Sequence, residues 1–302
     1  MRHIAATFLI MATAASTLAL DPDSEQDAIT TPRVESFPRE GRGYRLIDWR
    51  RRTEDFLDAV LDPVRQGDYL PLMWWDDTQI HWQHTTFGLP SYVGMKGQWG
   101  VHRNAHEAIV TMSTMLSGAL VDRDMTRYPV PASPAPVNLV AMQEAYFSPA
   151  DGVFLDGIGS RSGGSFWYEL FPSILAGALV AEHPDEAPLA EAWRRSCRRW
   201  AEAGLHLWHL NDYDFQAYDM RAKQAVVKGW REPDAAAGLA FLMQLAAAKW
   251  PDEALFRHET RHALDWLCRQ DRNLNYEIFT AFGVYAAARC NAEQGTSYDV
   301  GK

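Results

Sequence analysis

The chain has 302 residues, 47% hydrophobic and 23% charged, an ordinary globular composition with material for one large domain or two small ones. Its net charge of −10 argues against a nucleic-acid partner, which asks for a basic face to meet phosphate. It leaves an acidic substrate open, because a local cluster of Arg, Lys and His overrides the global sign. Twelve Trp are a surplus. Sugars pack their C–H faces on aromatic rings, although large helical cores also consume Trp.

Residues 1–19 read as a cleaved signal peptide. Arg2 and His3 precede an apolar run from Ile4, and Thr17 and Ala19 stand before a cut at Leu20. The run is too short to cross a membrane, and no later one reaches spanning length, so no membrane span is expected. The predicted location is the periplasm or outside the cell. Residues 20–43, polar with Pro22, Pro32 and Pro38, read as a linker or arm, leaving 44–302 as the domain.

Apolar spacing predicts a helix over 44–64, closed by Pro63. The segment 65–100 has little periodicity but is rich in Trp, His and Asp, which is not linker composition. A helix from His102 to Leu120, with Asn104 as a plausible cap, comes next. A proline-rich connection and a short helix over 137–147 follow. The stretch from Asp151 to Pro172 begins as a loop with Gly152, Gly157, Gly159, Gly163 and Gly164, then turns helical at Ser165. Ser165 is placed to cap that helix, and Glu169 suits the positive end of its dipole. Glycine at this density lets backbone approach something closely. Further helices are predicted over 188–210, 233–249, 253–269 and 276–292, with a second unusual loop at 211–231.

Cys197, Cys268 and Cys290 all fall in helix-like segments and read as buried thiols; if a pair bridges, Cys268 with Cys290 is the better candidate. No CxxC, HExxH or calcium-loop spacing occurs, so no metal and no cofactor is expected.

Pro184-Asp185-Glu186-Ala187 is echoed by Pro251-Asp252-Glu253-Ala254. Each copy follows a small-residue apolar helix and precedes a charged one, which points to a repeated αα-hairpin. The helices starting near 102, 165, 233 and 276 are apolar nearly all round, whereas those near 49, 188 and 253 are charged on one face. Inner helices alternating with a surface layer describe an all-α fold, an α/α-toroid of hairpins.

This alternation, with phrases such as Gly164-Ser165-Phe166-Trp167-Tyr168-Glu169 and Ala287-Ala288-Arg289-Cys290-Asn291-Ala292-Glu293, resembles the six-hairpin glycosidase superfamily. The resemblance covers Trp49 to the end and is one of pattern. It implies a partial (α/α)6 barrel, since roughly four hairpins are present. Either the ring is incomplete or the chain is the front part of a longer protein. The resemblance also implies a substrate cleft at the outer-to-inner connections, which here are 65–103, 148–168, 211–232 and 271–276.

Those connections hold the candidate site residues. Glycoside hydrolysis generally uses two carboxyls, one as acid and one as base or nucleophile. Asp76, Asp77, Asp156, Glu169 and Glu277 are the candidates, with Asp76 or Asp77 paired to Glu169 preferred. A solvated Asp pair and simple dipole partners at helix starts are the plain alternatives. Trp74, Trp75, Trp82, Trp99, Trp167, Trp230 and Tyr276 are candidate sugar platforms. His102, Arg103, Arg161, Tyr213 and Asp214 are candidate polar contacts to the substrate. The expected function is a secreted glycoside hydrolase with a carbohydrate substrate. The alternatives are β-elimination on a uronic polymer, using a Tyr or His base with an Arg neutraliser, and a non-catalytic sugar-binding toroid.

Overall fold

The computed structural model describes residues 47–79, 81–92 and 106–301. The predicted signal peptide and arm, and also Trp99, His102, Arg103 and the cap Asn104, lie outside the described residues. The protein is mainly α. Its helices are α1 (Trp49–Val60), α2 (Ala108–Leu120), α3 (Phe166–Glu182), α4 (Ala187–His209), α5 (Ala235–Lys249), α6 (Ala254–Cys268) and α7 (Phe279–Gln294). The helix expected over 137–147 is a 3-10 helix, Ala141–Tyr146. The long connections carry three antiparallel two-stranded hairpins: β1 (Trp74–Asp76) with β2 (Thr86–Gly88), β3 (Phe147–Ser148) with β4 (Val153–Phe154), and β5 (Ala217–Asp219) with β6 (Gln224–Val226). Among the described residues no helix is long and apolar enough to cross a membrane.

The helices form two layers. Helix α3 packs on α2 and α5, and α5 packs on α7, making an inner row in the order α2, α3, α5, α7. Outside it, α1 lies on α2, and α4 lies against both α3 and α6, with α6 covering α5. The inner helix α3 buries Phe166, Leu170, Ile174, Ala176, Leu179 and Val180, and α5 buries an almost unbroken run from Ala235 to Ala240. Each fully buried Leu or Phe contributes about 1.5–3 kcal/mol, which makes this row the largest stabilising element. Gly177 lets α3 and α4 approach: a Cβ there would meet the Trp193 ring at 2.6 Å. The buried polar atoms at this contact are satisfied, because Trp193 Nε1 donates to Ser173 O at 2.9 Å and Trp200 Nε1 to Ser173 Oγ at 3.1 Å.

The two Pro-Asp-Glu-Ala turns have the same backbone. His183 ends α3 at φ −122, ψ 68, and Trp250 ends α5 at φ −127, ψ 75. Glu186 and Glu253 then open α4 and α6 at φ −80, ψ 72 and φ −87, ψ 86. The hairpins α3–α4 and α5–α6 therefore share one turn geometry.

Two expectations are corrected. Helix α7 is apolar yet buries only Phe279, Gly283, Ala286, Ala287 and Cys290, while Ile278 and Val284 are exposed. It packs chiefly on α5 at the end of the row, and among the described residues no helix covers its far flank. Of the cysteines, Cys197 and Cys290 are buried thiols as read from sequence and Cys268 is half-buried; Cys290 faces the amides of Gln244 and Gln294, with no bridge to Cys268. Ser165 precedes α3 in extended conformation but makes no cap bond to its own helix. Its hydroxyl donates elsewhere, as described below.

Candidate functional site

The N-terminal ends of α2 and α3 open onto one cleft of about 480 Å³. His106 and Glu107 from the start of α2 line it, with Asp156, Ser160, Arg161 and Gly164 from the glycine loop, Tyr168 and Glu169 from α3, and Trp230. Gly163 is where the loop needs glycine. Its φ is +97, and a side chain there would press on Asp219.

The glycine loop and the 211–232 loop are knitted together. Phe166 N donates to Gln216 O at 2.9 Å, and Gln216 Nε2 returns a bond to Gly164 O at 2.6 Å. Ser162 Oγ accepts from Met220 N at 2.9 Å, and Arg161 pairs with Asp219 at 2.9 Å. Beneath them Asp151, 1% exposed, accepts from Ser148 Oγ, Ser162 Oγ and both ends of the Arg221 fork. Burial opposes ionisation there, but these donors win and hold the Asp151 carboxyl down at about 2.

Glu232 makes the tightest joint. Its Oε1 accepts from Ser165 Oγ at 2.6 Å and Trp230 Nε1 at 2.7 Å, and its Oε2 accepts from Trp167 N at 2.8 Å. Glu232, from another loop, thus takes the backbone donor at the start of α3 that Ser165 was expected to serve.

Three carboxyls face the cleft. Glu169 is 3% exposed; its Oε1 accepts from Gly164 N at 2.6 Å and Ser165 N at 3.3 Å. Its Oε2 is buried without a hydrogen-bond partner among the described residues. Burial pushes Glu169 up to about 8, and the Glu232 charge adds to the rise. Asp156 sits over the opening of α2, where Ala108 N donates to its backbone O at 2.7 Å and Ile109 N to Oδ1 at 3.2 Å. Burial, then repulsion from Glu107, push its carboxyl up to about 7. Burial also raises Glu107, against a bond from Ser91. Tyr168 and Trp230, each 47% exposed, stand on the cleft rim as aromatic walls.

The remaining sequence candidates are placed differently. Asp76 is 4% exposed; its carboxylate accepts from Thr78 N and Oγ1 and from His81 N and Nδ1, which closes the turn after β1. Burial acts against this charge, but the Thr78 and His81 bonds hold Asp76 below the ordinary carboxylate value. Asp77 is exposed, and neither Asp76 nor Asp77 lines the cleft. Trp74 stacks on His106 and Trp75 packs on the core, while Trp82 lines a separate hollow with His84 and Glu186. Trp167 packs between Phe171 and Phe279. Tyr213 is buried with its hydroxyl donating to Gly204 O, and Asp214 pairs with Arg272 at 2.6 Å. Tyr276 and Glu277 are exposed at the foot of α7, where Glu277 N donates to Asp234 Oδ2 at 2.7 Å.

The structure therefore gathers Asp156, Arg161, Glu169 and Trp230 from the sequence candidates and adds Glu107, Tyr168 and Glu232. Glu107 occupies the residue before an inner helix, and its position beside His106 was the available signal. Glu232 stands just before Pro233, where sequence marks only a loop end. Among the described residues no group of His, Cys, Asp and Glu is placed to hold a metal ion. No protein-family model, curated protein or solved structure matches the chain.

Proposed function

We propose that the protein is an exported carbohydrate-active enzyme, a glycoside hydrolase whose two-layer helices belong to an α/α-toroid. The observation that carries this reading is the set of three carboxyls in one aromatic-rimmed cleft, where burial holds Glu169 up at about 8, and burial with Glu107 holds Asp156 up at about 7. A buried carboxyl that keeps its proton near neutral pH is what the acid role requires. Glu169 holds its proton at neutral pH. Backbone donors occupy its Oε1, so the proton belongs on Oε2, from which it is given to the leaving glycosidic oxygen. Asp156, with Glu107 beside it, is the carboxylate partner that activates water or attacks the anomeric carbon. Tyr168 and Trp230 stack the sugar rings.

Elimination on a uronic polymer is the second reading, since Tyr168 and Arg161 share the cleft. Two observations weigh against it. Burial and the surrounding carboxyls raise the Tyr168 phenol, which leaves less phenolate to act as base at working pH, and Arg161 is tied to Asp219. The test is a panel of neutral and uronic oligosaccharides, following reducing ends together with the absorbance of unsaturated uronate. Reducing ends without that absorbance, abolished in Glu169→Gln, support hydrolysis. Absorbance growth supports elimination. Binding without turnover points to a non-catalytic toroid.

A further inference from the structure

Glu232 lies one layer behind the cleft floor, yet it touches three things the proposed chemistry depends on. Its partners are the Ser165 hydroxyl, the Trp230 indole N–H and the Trp167 backbone N–H, at 2.6–2.8 Å. Two of these groups are obligate donors, and they sit on opposite oxygens of the carboxylate. An amide at this position would have to turn its NH₂ toward a donor. A protonated acid would have to reverse the Ser165 bond. The ionised carboxylate accepts all three as they stand; burial, with Glu232 1% exposed, raises its carboxyl, and the Ser165, Trp230 and Trp167 bonds act against that rise.

We infer that Glu232 is the positioning residue of this cleft: as an anion it locks Trp230 as a sugar-stacking wall, pins the first turn of α3, and sets a fixed negative charge beside Glu169. This rests on the reading of Glu169 as the proton donor. The charged and titratable groups around Glu169 support it. Gly164 and Ser165 present neutral backbone donors, Glu232 is the neighbouring anion, Lys228 Nζ is held on Gly163 O at 3.3 Å, and Arg161, the cation that lines the cleft among the described residues, is paired with Asp219. A second anion held that close disfavours ionisation of Glu169, so the donor keeps its proton in the working pH range. The same carboxylate holds the wall on which a sugar ring stacks, so one residue couples substrate placement to proton supply.

The experiment needs no substrate, so it fails or succeeds separately from the hydrolase reading. Carboxyl-labelled glutamate is titrated by NMR in the wild-type chain, Glu232→Gln and Glu232→Asp, with circular dichroism as the fold check. Removing the charge should lower the Glu169 midpoint by on the order of one pH unit. Glu232→Asp, which keeps the charge, should leave it high while shifting the Trp230 indole N–H resonance. An unmoved midpoint in folded Glu232→Gln, or equal drops in both variants, overturns the proposal. Should Glu232→Gln not fold, the wild-type protein still decides. The labelled Glu232 carboxyl should show no titration of its own between about pH 5 and 9, given the fixed charge, while the Trp230 indole N–H resonance steps at the Glu169 midpoint. A separate Glu232 titration in that range, or a Trp230 resonance that does not respond to Glu169, refutes it.

Discussion

Trp74 and His106 lie face to face, their ring centroids 4.7 Å apart and their planes 14° from parallel. Through this stack the β1–β2 hairpin is fastened to the opening of α2. His106 Nε2 also accepts from Ile158 N at 3.4 Å, so the same imidazole holds the glycine loop that carries Asp156. Burial, and then the nearby His81, push His106 down to about 4 from an ordinary 6.5. The ring is neutral in the native protein and charged in the unfolded chain below 6.5. Its contribution to stability is therefore full above pH 6.5 and is lost as pH falls through 4. The span corresponds to ~3 kcal/mol. Urea unfolding between pH 7 and 4 should show this loss, and His106→Phe, which keeps a ring but cannot titrate, should show a smaller one. Identical pH slopes would rule the linkage out.

Glu169→Gln preserves shape and removes the proton. Turnover on whichever saccharide the wild type cleaves should fall by about 10²–10⁴, with the melting curve little changed. In the wild type, kcat/KM should decline above about pH 8 as Glu169 ionises. A variant of full activity, or an alkaline limb that survives the substitution, would remove Glu169 from the acid role.

Glu107 is tied to Asp156 by charge repulsion. The hydrolase reading needs Asp156 ionised, so activity should rise with pH through about 7. Glu107→Gln removes the repelling charge, so this acidic limb should move to lower pH and the active range broaden. A limb that stays put in steady-state profiles of the variant would show that Glu107 does not tune Asp156.

Among the described residues Arg221 is the cation paired with the Asp151 carboxylate, while Arg199 Nε donates to the Asp151 backbone O at 3.4 Å. Arg221→Ala leaves that buried carboxylate without its paired cation and should destabilise the protein. Asp151 sits at about 2 against an ordinary 3.8, so its contribution is present above pH 3.8 and is lost as pH falls through 2. Chemical denaturation at pH 7 measures the loss for Arg221→Ala, and an unchanged midpoint would show that the Ser148 and Ser162 bonds suffice.

Export is checked on the mature protein. Intact-mass and N-terminal analysis of material from the native host should find a start near Leu20. A retained Met1 would refute cleavage.

Helix identity and order were legible in the sequence because they rest on local causes. Apolar spacing, Pro63, Pro184 and Pro251, and the small-residue run Ala235–Ala240 are properties of short windows, and they locate the helices to within several residues. The repeated turn was legible for the same reason: four identical residues produce one backbone path. The glycine loop was recognisable from composition, and Glu169 from its place in a first helical turn. Tertiary structure alone decided which carboxyls meet. Asp76 and Asp156 both sit in loops between helices, but the first is consumed by bonds from Thr78 and His81, and the second faces Glu107 across the start of α2. Glu232 takes the cap position that Ser165 held on paper, because its partner is 67 residues away in sequence. Composition also made α7 look buried, whereas burial depends on what packs against a helix, and among the described residues no helix covers the far flank of α7. Local propensity is written in neighbouring residues; hydrogen-bond partners and pKa values depend on contacts that only the folded chain makes.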